Sequence, residues 1–260
     1  MDIETLVKMY EELDLSRVID YEKFNSYSIV HHSSSIEGST LTEIDTQLLL
    51  DEGITPAGKP LEHSLMVKDH YDALEFVLSS FPSKLTVSFI QQINARVMSE
   101  TGQIYQTPLG IVDASKGEFR KGNVTAGGSY FPNYDKVERL TQELADYLNE
   151  KMCTISTLED KLRLSFEAHF ILVSIHPFYD GNGRTSRLLM NGIQHKLGLP
   201  LAIVFKEDKS QYFEALKQSR ETESKEPFYD FMFAQYSKHL KQAIDAYKRG
   251  LNQDNTFLFK

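Results

Sequence analysis

The chain has 260 residues, 41% of them apolar and 25% charged, a balance that suits one globular domain or two small ones with a substantial buried core. A formal net charge of -9, with no dense run of Lys or Arg, argues against a protein that tracks a nucleic-acid backbone, although a phosphate can still be held locally. The single Cys153 rules out an internal disulfide framework. No apolar run approaches the roughly 20 residues of a membrane span, and the charged start MDIETLVKMYEEL lacks the apolar centre of a secretion signal, so a cytoplasmic protein away from membranes is expected.

Most of the chain carries helical periodicity. In DYEKFNSYSIVHHSSSIEG, Tyr21, Phe24 and Ser28 predict a helix that Gly38 ends. Thr42 followed by Asp45 forms a capping pattern before LTEIDTQLLLDEG, with Gly53 as the stop. Tyr71, Leu74, Leu78 and Phe81 recur at spacings of three and four up to Pro82, and Phe89, Ile93 and Val97 repeat the pattern. The stretch 117–132, GEFRKGNVTAGGSYFP, departs from it: glycines bracket short alternating segments, and this is the one strand pair predicted. Val137, Leu140, Leu144 and Leu148 return to helix, as do LEDKLRLSFEAHFILVSI and the run holding Leu189, Ile193 and Leu197 before Gly198, and a last helix is expected over much of 227–249. The architecture is therefore mainly α with a small β-hairpin, divided as an N-terminal helical region (1–60), a core (61–225) and a C-terminal helix packed on it (226–260).

Residues 176–187, HPFYDGNGRTSR, concentrate the chemistry. Pro177 should end the preceding helix near His176, and Gly181-Asn182-Gly183 should sit at the start of the next, where free backbone N–H groups and the positive end of the dipole favour an anion. Glycines let a ligand approach the backbone closely. Arg184 and Arg187, three apart on the first turn, are expected to aim their forked donors at one polyphosphate. Asp180 is a carboxylate suited to Mg2+ beside phosphates. His176, with an unperturbed pKa of ~6.5, can take a proton from an attacking hydroxyl. Each feature has an ordinary structural explanation by itself: a helix-end histidine, a loop turn, a solvated arginine pair. Their coincidence within twelve residues at one helix start points to phosphoryl or nucleotidyl transfer.

The stretch matches in full the HPFx(D/E)GNGRxxR signature and so resembles the Fic family, with similarity running from about Ser33 to about Arg220. The resemblance implies a Fic-type helical bundle that transfers AMP from ATP to a Tyr, Thr or Ser hydroxyl of a target protein. It implies His176 as base, Phe178 as the loop's anchor and Asp180 as the Mg2+ ligand. Gly181, Asn182 and Gly183 become the anion hole, Arg184 and Arg187 the β- and γ-phosphate contacts, with Thr185 and Ser186 beside them. By the same resemblance 117–132 is the flap that receives the target backbone, with Val124, Thr125, Ala126 and Gly127 bordering the nucleotide. Tyr212 and Phe213 become neighbours of the base, for which core packing is a nearly equal explanation. Some relatives carry an adenine-contacting Asn near position 220, where this chain has Arg220.

The Ser-rich SSSIEG at 33–38 looks like a linker, yet it fits the (S/T)xxxE(G/N) pattern of the inhibitory helix found N-terminal to the domain in one class of the family. The resemblance then makes Ser33 and Glu37 inhibitory residues, Glu37 pairing with Arg187 and withholding it from the γ-phosphate. Alternatives stay open: removal of AMP, transfer of another phosphate-containing group, or a nucleotide-binding module without catalysis. A homodimer and an unidentified target protein are the partners expected. His31, His32, His63, His70, His169 and His195 have no zinc-site spacing and read as surface or core residues.

Overall fold

The computed structural model describes residues 2–13 and 21–257. Among them, helices run as α1 (Ile3–Glu11), α2 (Tyr21–Ile36), α3 (Glu43–Glu52), α4 (Leu61–Ser80), α5 (Val87–Val97), α6 (Val137–Met152), α7 (Leu158–Ile175), α8 (Asn182–Lys196), α9 (Lys209–Glu221) and α10 (Glu226–Phe257). Two antiparallel hairpins lie between α5 and α6: β1 (Ile104–Thr107) with β2 (Gly110–Asp113), and β3 (Thr125–Ala126) with β4 (Ser129–Tyr130).

Local chemistry sets several helix boundaries. Thr42 and Asp45 form a complete capping box at α3, and Gly53 ends that helix with φ 70. Thr86 and Thr157 cap α5 and α7 through their hydroxyls. α2 forms where expected but turns a different face inward: Phe24 is exposed, and Tyr27, Val30 and Ile36 are buried instead. The first hairpin is an addition to the predicted pair. Its four-residue strands flank Pro108 and Leu109, and Tyr105 and Val112 are the apolar side chains it turns toward the protein, too short an apolar pattern to stand out. In the second, strand pairing is confined to two residues on each side, and Gly127 (φ 57) with Gly128 (φ 76) makes the two-residue turn that such a hairpin needs.

Helix α7 lies between two apolar clusters. Leu164, Ala168, Leu172 and Ile175 face the first, shared with α4, α5, α6 and α8. Leu162, Phe166, Phe170 and Val173 face the second, shared with α1, α9 and α10. Both stripes follow the four-residue helical step, so α7 is apolar on two sides and belongs in the interior. Each of the buried Leu, Ile, Val and Phe side chains contributes about 1.5–3 kcal/mol. His176 follows at the end of this central helix, fixed in place by the core behind it.

Candidate active site

His176 caps α7 with its N–H on the Leu172 carbonyl at 3.0 Å and adopts φ 52, ψ 60. This left-handed conformation costs a non-glycine residue about 1–3 kcal/mol and has to be held by its surroundings. Pro177 then prevents the helix from continuing. The Phe131 ring stacks on the imidazole at 4.0 Å and 23°. Burial lowers the His176 pKa to about 4; Arg120 and Arg220 add to that, while the Val173 carbonyl and Glu37 oppose it. The imidazole is therefore neutral at physiological pH and able to accept a proton.

The loop after His176 is braced from inside. Phe178 is buried against Phe119, and the Asn182 side chain accepts from the Phe178 N–H at 3.0 Å and donates to its carbonyl at 2.9 Å. Asn94 on α5 donates to the Asp180 carbonyl and to the Thr185 hydroxyl. The Ser186 hydroxyl donates to the Asn182 carbonyl at 2.6 Å. Thr185 and Ser186, expected beside the phosphates, thus have their side chains turned inward and support the loop. Gly181 (φ 76) has no room for a Cβ, which would strike Asn94 and Met98. Asp180 stays largely exposed at the rim, a lone carboxylate whose oxygens suit Mg2+ held jointly with phosphates. Among the described residues no cluster of three metal-ligating side chains exists.

The two arginines diverge instead of converging on one anion. Arg184, buried, donates to the Val97 carbonyl at the end of α5 at 3.1 Å and lies 3.1 Å from Met98 Sδ. Its distance to Asp180 is 4.0 Å. Arg187 turns toward α2: Nε donates to the Ser33 hydroxyl at 2.8 Å, and Nη2 donates to the Ser33 carbonyl at 3.1 Å and to Glu37 Oε1 at 2.6 Å. The Arg187 side chain is 4% exposed and that of Glu37 30%. Burial pushes the Glu37 carboxyl up, and the adjoining Arg187 guanidinium more than offsets this, leaving its pKa below the usual range. Glu37 Oε1 also lies against the Gly183 backbone, so closely that a Cβ there would strike it. A carboxylate therefore already sits beside the backbone expected to cradle phosphate.

The predicted neighbours of the base separate. Tyr212 is buried, its hydroxyl bonded to His169 Nε2 at 2.9 Å and reached by Arg187 Nη1 at 3.4 Å, which places it on the Arg187 side of the site. Phe213 is exposed. Val124 is half-buried, and Thr125, Ala126 and Gly127 are exposed at the hairpin's tip. Arg220 donates to the Ser174 hydroxyl at 3.3 Å and to the Ser129 hydroxyl of β4 at 3.4 Å. Sequence reasoning missed Arg120, Phe131, Asn94 and the His169–Tyr212 pair. Arg120 and Phe131 lie in the stretch read as a flap, but nothing in their spacing distinguishes them.

Residues 84–193, which hold α5, both hairpins, the histidine loop and most of α8, match the Fic/DOC family. The chain belongs to the Fic/DOC family through this domain. It is 33% identical over 205 residues to a protein adenylyltransferase Fic of Drosophila erecta, and 34% identical over 206 residues to that of Drosophila willistoni. Each match covers 78% of this chain and 39% or 38% of the relative, so the Fic chain described here spans well under half the length of those proteins. Its fold is similar to Fic-1 (residues 134–508) of C. elegans, with a TM-score of 0.79 and 26% identity over 95% of this chain and 71% of that one. A Fic domain containing signaling protein from Bacteroides thetaiotaomicron also gives 0.79 and 26%, over 94% of this chain and 97% of that one.

Proposed function

We propose that this Fic protein transfers AMP from ATP to a Tyr, Thr or Ser hydroxyl of a target protein, and that Glu37 holds it in an inhibited state. The observation that carries the proposal is the placement of a neutral, braced His176 beside a glycine-rich helix start whose Arg187 is engaged by Glu37 at 2.6 Å. The names of the Drosophila relatives agree with the activity.

His176 accepts the proton of the target hydroxyl, whose oxygen attacks the α-phosphorus. The bond from that phosphorus to the bridging oxygen of pyrophosphate breaks, and pyrophosphate carries away the electron pair. The N-terminal amides of α8 stabilise the charge that develops on the phosphates. Mg2+ at Asp180, when bound with ATP, supplies charge neutralisation on the leaving pyrophosphate. With Arg187 held by Ser33 and Glu37, the γ-phosphate lacks its bidentate partner, and ATP binds in a pose unsuited to in-line attack.

Residues 1–60 are accordingly proposed to regulate, 61–225 to catalyse and 226–260 to support. No helix among the described residues is long and apolar enough to cross a membrane, and the cytoplasm is the proposed compartment. A homodimer is proposed as well, and the exposed Ile44 and Leu48, four apart on α3, are the side chains with which to test it. A second reading, in which Glu37 orients a water for AMP removal, is supported by one observation: its carboxylate is part-exposed beside Gly183. Mass spectrometry of a modified target, with and without Glu37, separates the two. Adenylyl groups that accumulate only without Glu37 fit inhibition, and their loss on incubation with the wild-type chain reveals removal.

A further inference from the structure

Arg120 is an arginine that simple burial rules disfavour. It is 2% exposed and makes no ion pair among the described residues, so its guanidinium sits inside the protein without a counter-ion. Burial lowers its pKa. What retains it is a set of three carbonyls: Nε donates to His176 at 2.8 Å, Nη1 to Gly122 at 2.8 Å and Nη2 to Pro132 at 2.5 Å. Its backbone N–H donates to the Pro177 carbonyl at 3.0 Å. Gly122 and Pro132 are the two feet of the hairpin segment that carries β3 and β4, and His176 is the residue in the left-handed conformation. One planar fork therefore joins both feet of the flap to the strained turn. A lysine at this position has one nitrogen and cannot reach three divergent acceptors.

The ring of the same histidine is tied to the flap from its other end. Phe131, adjoining Pro132, stacks on the imidazole at 4.0 Å. Arg220 lies over Phe131 at 5.5 Å and links the Ser129 hydroxyl of β4 to Ser174 near the end of α7. None of the hydrogen bonds of Arg120 reaches residues 180–187, where the phosphates are proposed to lie.

We propose that Arg120 and Phe131 are positioning residues of this Fic domain: Arg120 fixes the backbone turn at His176, Phe131 fixes its ring, and both tie it to the flap, so that seating a target on the flap and aiming the base are one mechanical event. The inference rests on the reading of His176 as the base and of the flap as the target's seat. It assigns residues outside the HPFYDGNGRTSR stretch a direct influence on turnover.

The test uses the full chain carrying Glu37→Gly, with Arg120→Lys or Phe131→Leu added. A misaimed base costs turnover and leaves nucleotide binding alone, so Arg120→Lys should lower kcat by about tenfold or more with the ATP KM changed by no more than about twofold. Phe131→Leu should lower kcat in the same way. It should also move the acid limb of the pH–rate profile to higher pH, because uncovering the imidazole lets its pKa rise toward 6.5 while Arg120 and Arg220, the charged groups left around it once Glu37 is replaced, keep their places. Because Phe131 is only half-buried, this second variant decides the matter if Arg120→Lys does not fold. A readout independent of catalysis accompanies both: amide hydrogen exchange over 124–131 and at His176 should accelerate together, with α8 unchanged. Kinetic constants within about twofold of the background, an ATP KM that rises in step with the loss of kcat, or a flap that loosens without His176 would each overturn the proposal. If the Glu37→Gly background itself transfers no label, the activity reading fails on its own, and the exchange experiment still decides whether flap and turn are coupled.

Discussion

Replacing Glu37 by glycine removes the carboxylate on Nη2 of Arg187 and leaves the two bonds to Ser33. A charge-assisted hydrogen bond contributes about 1.5–3 kcal/mol, and the 30% exposure of the Glu37 side chain places this one toward the lower end. A loss of about 2 kcal/mol shifts the balance between the held and the freed Arg187 by about 30-fold. Initial rates of protein labelling from α-labelled ATP with Mg2+ should therefore rise by roughly 10–30-fold in Glu37→Gly over wild type. The same change leaves Arg187 buried with less compensation, so Tm without nucleotide should fall, and ATP should raise Tm more in the variant than in the wild type. Equal labelling rates in the two proteins would refute the reasoning, because the pair would then place no restraint on the productive pose.

His176→Ala should abolish labelling in the Glu37→Gly background while ATP affinity stays within about threefold, since the imidazole serves the hydroxyl and not the phosphates; binding lost together with labelling would mark a structural histidine. Tyr212→Phe removes the hydroxyl between His169 and Arg187 and should raise labelling of the otherwise wild-type chain by a few-fold at most, about 1 kcal/mol for a neutral bond; a larger rise than that of Glu37→Gly would relocate the restraint. Stability should fall as the medium is acidified below about pH 6.5. Burial lowers the pKa of His31 to about 4, His32 to about 3, His176 to about 4 and His239 to about 4, so below 6.5 the unfolded chain binds protons that the folded chain refuses. His70 and His169 are lowered by burial as well, so Asp69, raised by burial to about 6 and acting in the opposite direction, is one group against six. A Tm at pH 5 equal to or above that at pH 7.5 would contradict this.

The parts of the fold legible in the sequence are those in which a local rule and the tertiary structure agree. Thr42 and Asp45 form the capping box they announce, Gly53 stops α3, and α7 carries two stripes at one helical step, so it can serve two clusters. The face of α2 was not legible: its low amphipathicity let Phe24 pass for a core residue, whereas polar Ser33 is buried with its hydroxyl on Arg187, and Ser34 is buried beside it. The first hairpin hid behind Pro108 and four-residue strands. In the site, His176, Glu37 and Arg187 follow from the two motifs, but the divergence of Arg184 from Arg187 depends on where the end of α5 stands, which no spacing encodes. Arg120 escaped for the same reason, since its three acceptors are carbonyls from separate loops and carry no side-chain signature.

The central claim, that a base at His176 directs AMP transfer which Glu37 restrains, is tested most directly by a paired-label measurement. Glu37→Gly is incubated with α-labelled and, separately, γ-labelled ATP in the presence of Mg2+, alongside the double variant that adds His176→Ala. Label on protein from the α position alone, absent from the double variant, is the result expected. Label from the γ position, label that persists without His176, or ATP bound with no label from either position would contradict it.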